Sequence, residues 1–104
     1  MRKGILEYCI LYVINSKEVY PSEIILYLKK AELIVVEGTL YPLLTRLKNA
    51  NLLSYRWVES NSGPPRKYYH LTEKGKTFLK ELDKTWQHLN AAVQLITNNR
   101  EAIE

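Results

Sequence analysis

The chain has 104 residues, a formal net charge of +4, 25% charged residues and a sequence pI of about 9.2. This length fits one domain, and a hydrophobic content of 46% fits a folded soluble protein and excludes an intrinsically disordered one. The basic excess favours a polyanionic partner, although many soluble proteins carry an excess of this size.

Cysteine and histidine are too scarce for a disulfide or a zinc site. Cys9 is the single cysteine and lies among apolar residues, so we expect it to be buried and reduced, and His70 and His88 are the two histidines. The apolar run at residues 5–14 resembles part of a signal peptide, but Glu7 interrupts it and no small-x-small cleavage site follows. The run is also too short to span a bilayer. We therefore expect a cytoplasmic protein without a metal, a cofactor or a membrane partner.

Residues 3–16 are predicted to form a first helix with two apolar faces. One face is expected to pack on the domain and carries Leu6, Ile10, Val13 and Ile14. The other face carries Ile5, Tyr8, Cys9 and Tyr12. Because this second face includes two tyrosines, we expect it to contact a second chain or a ligand.

A helix-turn-helix pattern follows. The segment YPSE at residues 20–23 indicates the start of a second helix that runs to about Lys30, because proline is tolerated in a first turn, Ser22 can cap it and Glu23 complements the helix dipole. A loop ending near residue 36 leads to a third helix. Two short helices with a tight link make a helix-turn-helix arrangement.

The third helix is predicted from the stretch EGTLYPLLTRLKNANLL at residues 37–53. Its leucines recur at i, i+3, i+4 and i+7 and therefore face the core: Leu40, Leu43, Leu44 and Leu47. The opposite side has hydrogen-bonding, aromatic and cationic side chains and no acid beyond Glu37: Tyr41, Thr45, Arg46, Lys48 and Asn49. Such a surface suits the major groove of DNA, although a solvated helix face is the simpler interpretation of this helix alone.

The start of the third helix has two interpretations. If Thr39 is the N-cap, Pro42 lies in the first turn, where its missing N–H has no cost. If the helix begins near Val36, Pro42 lies inside it and can bend it, with Gly38 beneath the proline ring. The sequence does not choose between them.

After residue 51 the apolar period changes to two, which predicts a β-hairpin. Residues 53–58 form the first strand, NSGPP at residues 61–65 the turn, and residues 66–72 the return strand, which carries Lys67, Tyr69 and Leu71 on one face. A helix-turn-helix followed by a hairpin is the layout of a winged helix. The hairpin bears Arg56, Arg66 and Lys67 against only Glu59, so we expect a positive wing where a DNA backbone would lie.

Thr72 and Glu73 predict the start of a fourth helix, with threonine as its cap. Apolar residues then follow steps of three and four and make a heptad seam: Leu79, Leu82, Trp86, Leu89, Val93 and Ile96. A helix from residue 73 to about residue 97 would be about 37 Å long, longer than a small domain can cover. We therefore expect a homodimer through this seam and the outer face of the first helix. A lone amphipathic helix lying on its own domain is the alternative.

Together these elements predict a mainly α fold with a β-hairpin: a winged helix-turn-helix plus a long C-terminal dimerisation helix. Residues 1–72 are expected to form the winged-helix DNA-binding domain. Residues 73–104 are expected to form the dimerisation helix and a short tail, in one compact unit with it.

Two motifs, EGTLYPLLTRL at residues 37–47 and RKYYHLTEKG at residues 66–75, resemble those of the PadR-like winged-helix transcriptional regulators. The resemblance extends over residues 3–97, and with a single C-terminal helix the chain resembles the small subfamily. It implies a dimeric bacterial repressor of detoxification or transport genes, released from DNA by small aromatic or cationic compounds. By position, it also implies that the third helix and the wing approach DNA through Thr39, Tyr41, Thr45, Arg46, Arg66 and Lys67. Two further residues of the outward helix face complete the predicted DNA-binding set, Lys48 and Asn49.

The resemblance also implies a ligand site. In drug-responsive members, a tryptophan at the position of Trp86 meets its symmetry mate and forms a flat hydrophobic pocket across the dimer. Positions of the first helix that match Glu7, Tyr8 and Tyr12 line that pocket, and Glu7 would favour cationic aromatics. The predicted ligand set also includes Leu82 and Asn90. Because the two tyrosines are bulky and can fill the space, Trp86 is interpreted either as a structural seam residue or as a ligand-stacking one.

The expected function is that of a non-enzymatic repressor. Two recognition helices would enter successive major grooves about 34 Å apart on a pseudo-palindromic operator. The sequence contains no Ser-His-acid set, paired carboxylates or metal-ligand spacing that would indicate an enzyme. The alternative of a different class is a winged-helix protein-interaction module that never binds DNA.

Overall fold

The computed structural model describes residues 2–98, with side chains from residue 4 onward. Within this range the elements are α1 (Arg2–Ser16), α2 (Pro21–Lys30), α3 (Glu37–Asn49), β1 (Leu53–Ser60), β2 (Gly63–Leu71) and α4 (Glu73–Asn98). The prediction of a mainly α fold with one antiparallel hairpin and a long last helix is confirmed. The predicted tail, residues 99–104, lies outside the described residues.

The core lies where α1, α2 and α3 meet the base of the hairpin. Its most buried side chains are Ile10, Leu11, Ile14, Val19, Ile24, Leu40 and Leu44. Leu11 was absent from the predicted inward face of α1 but is fully buried, whereas Val13 is only half-buried. The inward face of α1 is therefore rotated toward Leu11 relative to the prediction. Each fully buried aliphatic side chain contributes about 1.5–3 kcal/mol to the free energy of unfolding.

The start of α2 differs from the prediction by its cap. Tyr20 is the N-cap and Pro21 the first helical residue, so Ser22, predicted as the cap, lies inside the first turn. The carboxylate of Glu23 accepts a hydrogen bond of 3.2 Å from the backbone N–H of Tyr20. Pro21 sets the boundary because its fixed φ suits the first helical position, where no N–H is needed.

The structure selects the earlier of the two predicted starts for α3. The helix begins at Glu37 with Val36 as its N-cap, so Pro42 lies inside it. A proline ring crowds the carbonyl four residues earlier, which here belongs to Gly38. Apart from the two chain neighbours of Gly38 and the backbone of α3 itself, no atom lies within 4 Å of where a Cβ of Gly38 would stand.

The two strands of the hairpin pair with Trp57 opposite Lys67, and the turn is shorter than predicted. It consists of residues 61–62, while residues 63–65 belong to β2. Prolines without an N–H are tolerated here because the ladder is irregular near residues 58–60. At the base, Val19 pairs with Tyr69 on β2 through backbone hydrogen bonds of 3.3 and 2.8 Å.

The start of α4 is fixed directly on the chain that follows α3. Thr72 caps the helix as predicted, because its Oγ1 accepts the N–H of Gly75 at 3.0 Å, and it also donates to the carbonyl of Asn51 at 2.7 Å. A Cβ on Gly75 would lie 2.1 Å from the carbonyl oxygen of Leu52. From this contact α4 extends for 26 residues, about 39 Å at the usual rise, in a protein 61 Å long.

Candidate nucleic-acid interface

The surface of α3 is oriented by its leucines. Leu40, Leu43, Leu44 and Leu47 are all buried, which confirms the predicted stripe. The opposite side is exposed along its length, including Thr45 and Asn49. Residues seven apart share a side of a helix. One flank therefore carries Thr39 with Arg46, and the other carries Tyr41 with Lys48.

A concave surface, which we call the notch, lies between α3, the start of α2 and the hairpin. Its volume is about 340 Å³. Four of the eight residues predicted to bind DNA line it: Tyr41, Thr45, Arg66 and Lys67. None of the residues that line the notch is acidic. The structure therefore combines hydrogen-bond donors of α3 with cations of the wing on one concave surface.

Aromatic rings hold the cations beside the notch. The Lys67 ammonium lies 4.6 Å from the ring centroid of Tyr55 and 5.3 Å from that of Trp57. The Lys48 ammonium lies 5.6 Å from Tyr55, which links the end of α3 to the wing. Cation–π contacts of this kind restrict the side chain while the charge stays in place. Arg66 is held in the same way on the other side of β2, where its guanidinium lies 4.4 Å from a ring centroid, that of Tyr20.

One of the three wing cations, Arg56, is paired with an acid. Arg56 donates two hydrogen bonds of 2.8 Å to the carboxylate of Glu18, on the strand face opposite Trp57. The guanidinium also lowers the pKa of Glu18, because it stabilises the ionised carboxylate. The other two wing cations, Arg66 and Lys67, line the notch.

Arg46 is also paired with an acid. Its guanidinium donates to the carboxylate of Glu7 on α1, and about half of the Arg46 side chain stays exposed. This contact joins a predicted DNA-binding residue to a predicted ligand-binding residue. It orients the Thr39 and Arg46 flank of α3 toward α1.

Six of the ten residues that line the notch were not among the predicted DNA-binding residues: Tyr20, Pro21, Ser22, Trp57, Pro65 and Tyr69. The sequence predicted Ser22 as a helix cap and Trp57 as an alternating residue of the first strand. The pairing of residue 57 with residue 67 could have placed Trp57 beside a predicted wing cation.

The first and last helices meet through aromatic residues. Tyr8 stacks on Trp86 with ring centroids 6.3 Å apart and an angle of 27° between the planes. The Tyr8 hydroxyl donates a hydrogen bond to the carboxylate of Asp83. This bond, together with burial, raises the pKa of Tyr8 to about 12, because the ionised phenol would face a carboxylate. Tyr8 therefore occupies part of the surface of Trp86 within one chain.

Only part of the predicted ligand set shares a cleft. A cleft of about 350 Å³ between α1 and α4 is lined by Tyr8, Trp86 and Asn90 among others. Glu7 pairs with Arg46 instead, and the remaining two members, Tyr12 and Leu82, are not among the lining residues. Glu7 lies outside the cleft because successive α1 residues point in different directions around the helix.

The seam of α4 becomes more exposed along the helix. Leu79 is buried, and Leu82, Trp86 and Leu89 are half-buried. Near the end of the helix Val93, Leu95 and Ile96 are 47%, 72% and 58% exposed. The first half of the seam thus packs on α1, and the second half presents apolar side chains without a cover from the described part of the chain.

Residues 2–98 contain neither a cluster of metal ligands nor a membrane-spanning helix. No group of three or more histidine, cysteine, aspartate or glutamate side chains in this range could hold a metal ion. Every helix in the same range is too short or too polar to cross a membrane.

Two helices joined by a tight link, followed by a hairpin that flanks the exposed side of α3, define a winged-helix protein. The sequence profile of the transcriptional regulator PadR-like family matches residues 10–81. The chain belongs to this family, whose members are transcriptional regulators that bind DNA and commonly dimerise.

Known structures agree with this assignment. A PadR-like transcription factor from Bacteroides fragilis is 64% identical with a TM-score of 0.81, over 92% of this chain and 93% of that chain. A PadR-like transcriptional regulator from Bacillus cereus is 42% identical with a TM-score of 0.81, over 88% and 90% of the two chains. An uncharacterised protein of Lysinibacillus sphaericus is 29% identical over 102 residues, which is 95% of this chain and 94% of that protein.

Proposed function

We propose that this chain is a homodimeric repressor that binds operator DNA through α3 and the wing and controls a detoxification or transport gene in the bacterial cytoplasm. The observation that carries the proposal is the notch, where Tyr41 and Thr45 of α3 face Arg66 and Lys67 of the wing without an acid in the lining. A phosphodiester backbone bordering the major groove matches this surface in charge and in hydrogen bonding.

In the proposed complex α3 lies in the major groove. Arg46 and Lys48 would read guanine edges, and Asn49 would pair with adenine. Phosphates would be held by the remaining members of the set: Thr39, Tyr41, Thr45, Arg66 and Lys67. The cation–π contacts support this assignment, because they hold Lys48 and Lys67 beside the groove-facing helix before DNA arrives.

The proposed dimer forms through α4. Its length of about 39 Å and its exposed apolar end support this assembly, because an apolar surface rimmed by polar residues marks an interaction site. The partner chain would cover Val93 and Ile96. Two copies of α3 would then enter successive major grooves about 34 Å apart on a pseudo-palindromic site.

The proposal includes an effector, a planar aromatic compound that is preferably cationic. The cleft beside Trp86 supports it, because Tyr8 and Trp86 supply aromatic surface and Asn90 supplies a polar group. Such a compound would release DNA only if it binds one arrangement of the dimer more tightly than the other.

The test is binding to the DNA upstream of the gene for this protein, measured by fluorescence anisotropy. Arg46→Ala should weaken binding by about 1–3 kcal/mol if it reads a base. Arg56→Ala is the matched control, because that guanidinium is held by Glu18 on the strand face opposite Trp57. Both variants should sediment as dimers at micromolar concentration. Equal binding by Arg46→Ala and the parent, or a parent that sediments as a single chain, would contradict the proposal.

A second candidate function has its own supporting observation. In the loop between α2 and α3, Ile34 is 81% and Val36 is 64% exposed, which suits a protein-interaction module. A module of this kind would show no salt-sensitive specific binding to DNA. The anisotropy experiment therefore separates the two candidates.

A further inference from the structure

Trp57 is a large aromatic residue that the fold leaves in solvent. Its side chain is 61% exposed on the wing, although it belongs to the hairpin face whose base is buried in the core. Tryptophan is usually well buried, and it is enriched at interfaces when it is not. Trp57 adds nothing to the core comparable to Leu53 or Tyr69, so its position requires another explanation.

The surroundings of Trp57 indicate what it contacts. Trp57 lines the notch together with Thr45, Arg66 and Lys67, and the Lys67 ammonium lies 5.3 Å from its ring centroid. Tyr55 meets it edge-on with ring centroids 6.2 Å apart, which fixes the ring from the base of the strand. An apolar ring beside one cation, in a notch that a second cation also lines and no acid lines, suits a ligand that alternates apolar and anionic units.

We propose that Trp57 packs against a deoxyribose of the DNA backbone, while Lys67 and Arg66 contact the phosphates on either side of that sugar. This inference rests on the proposed function and adds a residue and a mode of contact to it. With α3 in the major groove, the backbone that borders the groove crosses the notch between α3 and the wing. Backbone sugars carry no sequence information, so Trp57 contributes affinity without specificity.

A salt titration separates this role from an electrostatic one. Duplexes of about 30 base pairs are used, one from upstream of the gene for this protein and one of the same composition in scrambled order. Trp57→Ala should weaken binding to both duplexes by the same factor, roughly five- to thirtyfold, at every salt concentration. Lys67→Ala should instead reduce the slope of log K against log salt by about 1.8, because the proposed dimer loses two phosphate contacts.

Tryptophan fluorescence gives an independent measurement. The parent should change its emission when saturated with duplex. Trp57→Phe, which keeps Trp86 as its only tryptophan, should bind with a smaller loss than Trp57→Ala and show no such change. Because Trp57 is exposed, far-ultraviolet circular dichroism and sedimentation of both variants should match the parent.

Each outcome decides the inference. Trp57→Ala binding as tightly as the parent would overturn it, and so would a loss of salt slope like that of Lys67→Ala. An emission change that persists in Trp57→Phe would show that the signal comes from Trp86 rather than Trp57 and would overturn it as well. A parent that binds neither duplex would refute the proposed function itself, which is a different result from binding that ignores Trp57.

Discussion

The pair between Glu7 and Arg46 leads to a counterintuitive prediction: removing the acid should strengthen DNA binding. Arg46 is on the exposed side of α3, but its guanidinium donates to the Glu7 carboxylate. To contact DNA in full, the guanidinium must give up this partner. Glu7→Gln keeps the size of the side chain and removes its charge, so the carboxylate no longer competes with DNA for the Arg46 guanidinium.

The magnitude follows from the exposure of the pair. The side chain of Arg46 is 53% exposed and that of Glu7 is 21% exposed, so water screens the pair and its worth is that of a surface ion pair, about 0.2–1 kcal/mol. Two copies in the proposed dimer double this gain to about 0.4–2 kcal/mol. The corresponding increase in affinity is about twofold to thirtyfold.

The assay is anisotropy of a labelled upstream duplex at several salt concentrations. Glu18→Gln is the matched control, because it releases Arg56 on the strand face opposite Trp57 and should leave affinity unchanged. The double variant of Glu7→Gln with Arg46→Ala should show none of the gain. If Glu7→Gln binds no more tightly than the parent, or if the gain persists without Arg46, the reasoning is refuted.

Three further predictions concern stability and the cleft. Gly75→Ala should lower the free energy of unfolding by about 1–3 kcal/mol or more, because the new Cβ would overlap the Leu52 carbonyl. Gly38→Ala should instead raise the free energy of unfolding by about 0.5–1 kcal/mol. Equal effects of the two substitutions in urea unfolding would contradict this prediction. The pKa of Tyr8 in the folded state is about 12, against an ordinary value of 10.0. The contribution of the Tyr8 hydroxyl to the free energy of unfolding is therefore complete below about pH 10 and is lost toward pH 12. The difference in urea midpoint between the parent and Tyr8→Phe should shrink only between these two pH values. A planar cationic dye should quench the parent fluorescence and lose this effect in Trp86→Ala; unchanged quenching in that variant would move the site elsewhere.

Local sequence patterns were sufficient to predict the order of helices and strands and the buried leucine stripe of α3. Leucines at helical spacing can be satisfied only by one buried face, and the threonine cap of α4 is a local signal with one meaning. The two proposed starts of α3 could not be separated from the sequence. Proline is tolerated in the first turn and can also lie inside a bent helix, so residue type alone does not fix the start, which the structure places at Glu37.

Long-range pairing of charges was beyond sequence reasoning. Arg46 and Glu7 are 39 residues apart, and Arg56 and its carboxylate partner are 38 residues apart. No period in the sequence encodes such contacts, because they depend on how separate elements pack. The sequence therefore predicted the three cations of the wing but not the pairing of Arg56 with Glu18.

The contact of Gly75 with the Leu52 carbonyl has a consequence for regulation. No flexible segment separates α4 from the winged-helix unit that precedes it, which we call the reading unit, because the first turn of α4 contacts Asn51 and Leu52 directly after α3. In the proposed dimer, a few degrees of tilt between the two long helices would therefore reach both reading units undamped. Over a lever of about 39 Å, a tilt of roughly 5° displaces the far end by about 3 Å, comparable to the rise of one base pair. Such a repressor can be switched by a ligand that barely alters the interior of either subunit.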